Sequence, residues 1–229
     1  MKRSRPRSTD SRSQLVRAYE GIRSHIVDGT YRGGDPLTEE LLARSHGTSR
    51  TPVREALAQL AQDGYVERVP GRGYFVARVT VQLVRDTFEV RRLLEGNTAA
   101  RAAELATGPE RERLAALADY RFSPNDRAGY RRAEIANARF HMAIAAASRN
   151  QLAERLVLQC LAQMDRFISL GIDVAPLPEE ATRDHRAILR AIDQRDPTAA
   201  RVAMQAHLDR SSSVLVQALL RGTLTGVMP

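Results

Sequence analysis

The chain has 229 residues, enough for one large or two small domains, and 35 basic against 27 acidic side chains give it a net charge of +8. Residues 1 to 80 hold 14 basic and 9 acidic side chains, or +5, against 21 and 18, or +3, in the remainder, which concentrates the positive charge in the first third. Cys160 is the single cysteine, so no internal disulfide can form and a reducing cytoplasm is the expected home; the lack of Trp argues against a stacking platform for single-stranded RNA, and no apolar run is long enough to cross a bilayer.

Residues 1 to 13, MKRSRPRSTDSRS, are basic and aperiodic and read as a disordered arm that adds salt-sensitive DNA affinity. Leu15, Tyr19, Ile22 and Ile26 then recur at helical spacing up to Gly29. A short second helix is expected over Leu37 to Ser45, and His46-Gly47-Thr48 suits the tight turn of a helix-turn-helix. In the third helix Thr51 is read as the cap, Pro52 fits the first turn, Val53, Ala56, Leu57 and Leu60 form one apolar stripe, and Gly64 ends it. Val66 to Val69 and Tyr74 to Val79 read as two strands joined at Pro70-Gly71-Arg72-Gly73, a hairpin with Arg72 at its tip.

These residues place a reader at the start of the third helix. Ser49, Arg50, Thr51 and Arg54 offer hydroxyls and guanidinium groups there, and an Arg spans guanine O6 and N7 in the major groove. Arg50 and Arg54 are the expected base contacts. Arg72, flanked by Gly71 and Gly73, is expected to enter the adjacent minor groove or hold a phosphate. The expected partner is double-stranded DNA.

After Val79 the alternation stops and Ala, Leu and Arg-rich segments predict helices near 80–106, 109–119, 127–147, 150–171, 178–194 and 197–220. The expected organisation is a basic arm (1–13), a winged helix of three helices plus a two-stranded wing (14–79), an all-α antiparallel bundle (80–222) able to enclose a pocket, and a flexible tail (223–229). His185 and His207 stand eleven residues either side of Asp196, so a hairpin at Asp196-Pro197 puts both imidazoles at one level, about 16 Å from the turn at ~1.5 Å per residue. Asn137 lies one turn before His141 on one helix face. Three imidazoles and one oxygen suit a divalent transition metal, zinc or nickel, with positions left for water or a ligand.

Thr48 to Val76, TSRTPVREALAQLAQDGYVERVPGRGYFV, resembles the winged helix of the GntR family of bacterial repressors, the likeness running from about Tyr19. The resemblance implies a homodimer on a short palindrome, contacted by the start of the recognition helix and the wing tip. Some members carry an Arg after the Glu matching Glu39; here that residue is Glu40, and no phosphate contact carries over to it. FHMAIAAASRN (140–150), DHRAILRAIDQRD (184–196) and MQAHL (204–208) resemble the FCD effector domain of FadR-type members, whose metal-binding representatives use an Asp and three His. The Asp position is Asn137 here, which keeps an oxygen but loses a charge. VRRLLEGNTAARAA (90–103) resembles the first effector-domain helix, implying that Arg91 reaches a small carboxylate effector; the alternative for Arg91 is a surface pair with Glu95 at i, i+4. Two rival functions are a metal-ion sensor, with the ion as effector, and a metal-dependent hydrolase or lyase with Glu134 as base.

Overall fold

The computed structural model describes residues 9–118, 127–169 and 178–221. Two compact units divide after Val79.

In the first unit α1 (Thr9–Val27), α2 (Glu39–Ser45) and α3 (Arg50–Gln62) enclose a core of Ala18, Ile22, Ile26, Leu42, Val53, Leu57 and Leu60, the residues the apolar stripes put on their inner faces. α1 begins inside the segment expected as a disordered arm, at Thr9. The rest of the arm, residues 1 to 8, lies outside the described residues, as does the tail from 222 onward.

Three local expectations need correction. Leu37 does not open the second helix: Pro36–Leu37 form a short strand, β1, and Thr38 precedes a helix that starts at Glu39. The residue before the helix is extended, which suits pairing rather than a helical turn. Thr51 is not the cap of α3; Ser49 holds that position in extended conformation and Arg50 is already helical, so Pro52 sits in the first turn, where no amide hydrogen is needed. The second predicted strand stops early, at Val76: the Ala77 amide still bonds the Tyr65 carbonyl, but the Tyr65 amide is taken by the Leu60 carbonyl, which ends the ladder.

β2 (Val66–Val69) and β3 (Gly73–Val76) form the antiparallel wing, Val66 facing Val76 and Val69 facing Gly73. β1 adds to the free edge of β3, with Leu37 opposite Tyr74, so the sheet runs β1-β3-β2. α3 ends in a Schellman motif: Gly64 takes φ +79°, its amide bonds the Ala61 carbonyl, and the Tyr65 amide bonds the Leu60 carbonyl at 2.9 Å. That reversal feeds the chain directly into β2.

The second unit is all helical: α4 (Val81–Leu105), α5 (Gly108–Ala118), α6 (Arg127–Ala147), α7 (Gln151–Ser169), α8 (Pro178–Asp193) and α9 (Pro197–Leu220). These bounds fall within a residue or two of the predicted ones. The expected breaks at Ser123-Pro124-Asn125 and before Pro178 lie outside the described residues. α4 is the axis, packed by α6, α8 and α9, while Val157 and Leu161 of α7 pack with Ala145, Leu94, Ala138 and Met142. Thr80 caps α4 by accepting the Leu83 amide at 3.1 Å.

The hairpin between α8 and α9 turns where its residues require. Arg195 adopts φ +57°, its amide bonding Ile192 and that of Asp196 bonding Ala191. A non-glycine residue in that region is strained. Its guanidinium offsets this by donating to the Ala103 and Glu104 carbonyls at the end of α4, at 3.2 and 2.9 Å. Asp196 then caps α9 through the Ala199 amide, with Pro197 in its first turn.

Candidate functional site

Two regions carry the candidate chemistry, one in each unit. In the winged helix, Ser49, Arg50, Thr51, Arg54, Gly71, Arg72 and Gly73 are all exposed. A cleft of about 730 Å³ is lined by the start of α2, by Arg50 and by the wing turn including Gly71, Arg72 and Gly73. Gly71 and Gly73 take φ of +74° and +99°, which only glycine adopts without strain, and the Arg72 guanidinium lies 5.3 Å from the Phe75 ring centre. Sequence alone assigns Glu39 no role beyond the family match. In the structure Arg54 Nε and Nη2 donate to its two oxygens at 2.7 and 2.8 Å, and Arg50 Nη2 lies 3.5 Å from Oε2. The hydrogen bond from Arg54 holds the Glu39 carboxyl below its ordinary range.

In the helical unit His141 of α6, His185 of α8 and His207 of α9 are buried together, with one ring nitrogen of each within 4.8 Å of the others. The His185 and His207 ring centres are 4.8 Å apart, as the symmetry about Asp196 required. His185 is stacked on Phe140 at 4.1 Å. Asn137 is half-buried on α6, one turn before His141.

Arg91 and Glu95 do pair at i, i+4, yet the pair is not at the surface: they are 3% and 1% exposed, with Nε to Oε1 at 2.6 Å. The reason is the stripe Val84, Phe88, Arg91, Glu95, Thr98, Ala102, which is the buried face of α4. That spacing was visible in the sequence and would have put both charges inside. Glu95 therefore lies in the buried centre beside His141, a placement that composition and motif missed. Its second oxygen accepts the His141 Nδ1 proton at 2.5 Å.

The electrostatics follow from burial and partners. Burial pushes the Glu95 carboxyl up, but the charges of Arg91 and His141 outweigh it and hold the group at about 2. Burial holds His207 down to about 4, against the pull of Asp184, and drives His185 well below its ordinary value with help from His207, His141 and Arg91. His185 and His207 are thus held in the neutral form, whose free lone pair a metal ion binds.

The donor set passes a direct test of fit. With His141 Nδ1 committed to Glu95, its Nε2 is buried and has no hydrogen-bond partner. His207 Nδ1 faces Asp184 at 3.3 Å, and Asp184 is gripped by Arg210 at 2.8 and 2.5 Å. Carboxylates on the far ring nitrogens fix tautomer and orientation, the usual support behind metal-bound histidines. A tetrahedral ion with bonds of ~2.0–2.1 Å needs its nitrogens about 3.4 Å apart, so closing from 4.8 Å takes a small side-chain adjustment. His141, His185 and His207 could thus hold a metal ion. Arg91 Nη2 is likewise buried without a partner, while its guanidinium lies over Phe88 at 5.1 Å.

A recognition helix with a wing, followed by a helical domain enclosing a polar centre, defines a DNA-binding transcription regulator. The description "Bacterial regulatory proteins, gntR family" matches residues 15–76 and "FCD domain" matches 86–210. The chain belongs to the GntR family, with the FCD arrangement of FadR-type regulators, which bears out the resemblance drawn from its motifs. It is 29% identical over 207 residues to the HTH-type transcriptional repressor RspR of Escherichia coli K12, covering 87% of each chain. A regulator from an unstable DNA locus of Streptomyces ambofaciens is 31% identical over 204 residues, 87% of this chain and 84% of that one. Among solved structures, a putative GntR regulator from Rhodococcus sp. RHA1 superposes with a TM-score of 0.68 at 24% identity, over 90% and 98% of the two chains. Escherichia coli McbR/YncC gives 0.66 at 20% identity, over 89% and 97%, which shows the shared fold. Family and relatives are transcription regulators rather than enzymes, which removes the hydrolase reading and leaves Glu134 as a half-buried residue of α6. Among the described residues no helix is long and apolar enough to cross a membrane.

Proposed function

We propose that the protein is a homodimeric, cytoplasmic repressor that binds a short palindromic operator and is controlled by a small organic acid held at a metal centre in the helical domain. Ser49, Arg50, Thr51 and Arg54 at the start of α3, with Gly71, Arg72 and Gly73 of the wing, form the DNA-reading surface. His141, His185 and His207, with the Asn137 oxygen, would hold zinc or nickel, and the ion would supply a Lewis-acid partner for the effector carboxylate. The observation that carries this reading is the meeting of three buried imidazoles with Arg91, whose Nη2 is buried and unpartnered. A buried guanidinium donor left unmade is costly, and an anion would satisfy it.

Asn137 makes the anion matter more. With no carboxylate among the direct ligands, a divalent ion would bring uncompensated charge into the pocket, so ion and carboxylate should bind cooperatively. Because α4 carries Arg91 and begins at Val81, just after β3 ends at Val76, the segment 77–81 links ligand state to the wing. The effector acts by binding unequally to dimer arrangements that do and do not fit two half-sites.

One observation favours the metal-sensor reading: Arg91 Nε is already engaged by Glu95, which leaves less of the guanidinium for a ligand. Both readings are tested together. An operator is selected from a duplex pool with a randomised centre, then metal is titrated with and without di- and tricarboxylic acids while operator binding is followed by anisotropy. A response to acid plus metal supports the effector reading; a full response to metal alone supports the sensor; no preference among duplexes overturns the DNA-binding surface.

A further inference from the structure

The recognition helix carries a feature that base contact alone does not require. Glu39 belongs to α2, yet it takes both side-on donors of Arg54, Nε and Nη2, and also lies against Arg50. The arginine side chains are 62% and 65% exposed, while that of Glu39 is only 18% exposed. A solvated carboxylate pairing with a long flexible side chain normally contributes little. Here the carboxylate is held by the framework, at the first turn of α2, and the flexible partner is the arginine.

The donor geometry decides what the contact does. A guanidinium has a side-on pair of donors, Nε with one Nη, and an end-on pair on its two Nη atoms. Guanine O6 and N7 are read by a pair of parallel hydrogen bonds. With Nε and Nη2 occupied by Glu39, the end-on pair of Arg54 is still available, and the plane in which it points is fixed.

We propose that Glu39 is a positioning residue for sequence readout: it locks Arg54, and with it Arg50, in the orientation that reads guanine, and so sets specificity without touching DNA. The inference rests on the DNA-reading surface proposed above. An acidic group beside the reading arginines also repels phosphate, so Glu39 weakens binding to every duplex while sharpening the choice among them. Preorganisation of this kind acts through the entropy an arginine loses when it is fixed; with the carboxylate in place that loss is already met in the free protein.

The test is Glu39→Gln, which keeps the size and one acceptor oxygen but loses the charge. Wild-type and variant proteins are compared on the operator that the wild type selects from the random pool, on its single-base variants, and on unrelated duplex DNA. The variant should bind unrelated DNA as tightly as the wild type or tighter, and its preference for the operator should fall about tenfold, within the range a bidentate arginine–guanine pair supplies. The loss should be confined to the base pairs at which Arg54→Ala also loses discrimination. A structural role for Glu39 would instead lower affinity evenly across all sequences. An operator preference that is unchanged or increased, or a loss spread over every position, overturns the inference. Should Glu39→Gln unfold early by circular dichroism, Glu39→Asp is measured in its place; it keeps the charge but shortens the reach, and the same position-specific loss is expected. A wild type with no preference would instead overturn the underlying DNA-binding surface.

Discussion

Glu95→Gln isolates the most heavily buried charges among the described residues of the helical domain. Arg91 and Glu95 are 3% and 1% exposed and meet at 2.6 Å, so the substitution leaves a guanidinium in the interior without its counter-charge. At an effective dielectric near 20, unit charges about 4 Å apart attract by about 4 kcal/mol, and removing one partner of a buried pair costs about 3–5 kcal/mol. The Gln oxygen still accepts a hydrogen bond from Arg91, which puts the expectation at the lower end, about 3 kcal/mol. In a chain of this size each kcal/mol moves the melting temperature by about 2–4 °C, so a drop of roughly 6–12 °C is expected in the transition of the helical domain. Scanning calorimetry of protein stripped with a chelator reads this without interference from metal. A loss below about 1 kcal/mol would refute the reasoning, because it would mean that Arg91 finds water or another partner as soon as Glu95 is neutral. Replacing both residues, Arg91→Met with Glu95→Leu, should recover part of the loss, since no lone charge then remains although His141 Nδ1 loses its acceptor.

Gly21→Ala should destabilise the winged helix by about 1–2 kcal/mol: a Cβ there would stand 2.6 Å from His46 Cε1 and 2.7 Å from Nδ1, which outweighs the roughly 1 kcal/mol that Ala usually gains over Gly in a helix. Thermal unfolding checks the sign, and a stabilised variant would contradict it. In metal-free protein, stability should fall as pH drops from 6.5 through about 4, because burial keeps His207 neutral in the folded chain while the unfolded chain takes up the proton first. Glu95 adds a second loss as pH falls from its ordinary 4.5 through about 2, measurable together with the first as urea midpoints across the range; a flat profile from pH 7 to 4.5 would contradict the burial of His207. Asn137→Asp should strengthen metal binding about tenfold or more in the absence of added acid, read by competition with a chromophoric chelator, and equal affinities would remove Asn137 from the ligand set.

Much of this architecture is legible from local pattern. The helices of the second unit follow from apolar periodicity and from Pro, Gly and Asn punctuation, and the approach of His185 to His207 follows from equal spacing about Asp196. What local pattern could not give is partnership across distance. Glu95 meets His141 and Asp184 meets Arg210 only because α4 lies against α6 and α8 against α9. The surface pairing imagined for Arg91 and Glu95 weighed charge above the apolar stripe on which both residues sit. At Leu37 and Thr51 the misreadings were shifts of register at helix starts, where a polar residue suits more than one position. Glu39 was hidden for a different reason: its role depends on Arg54, fifteen positions away in sequence and on another helix.

The strand Pro36–Leu37 has a consequence for anyone exchanging parts between relatives. The hairpin that presents Arg72 is not a detachable flap, because β3 is the middle strand and is stitched on one side to the chain that leads into α2. A graft that swaps only residues 66–76 would leave the new β3 beside an edge shaped for the old one. Successful chimeras should take the segment before α2 along with the hairpin, treating both as one exchangeable cassette.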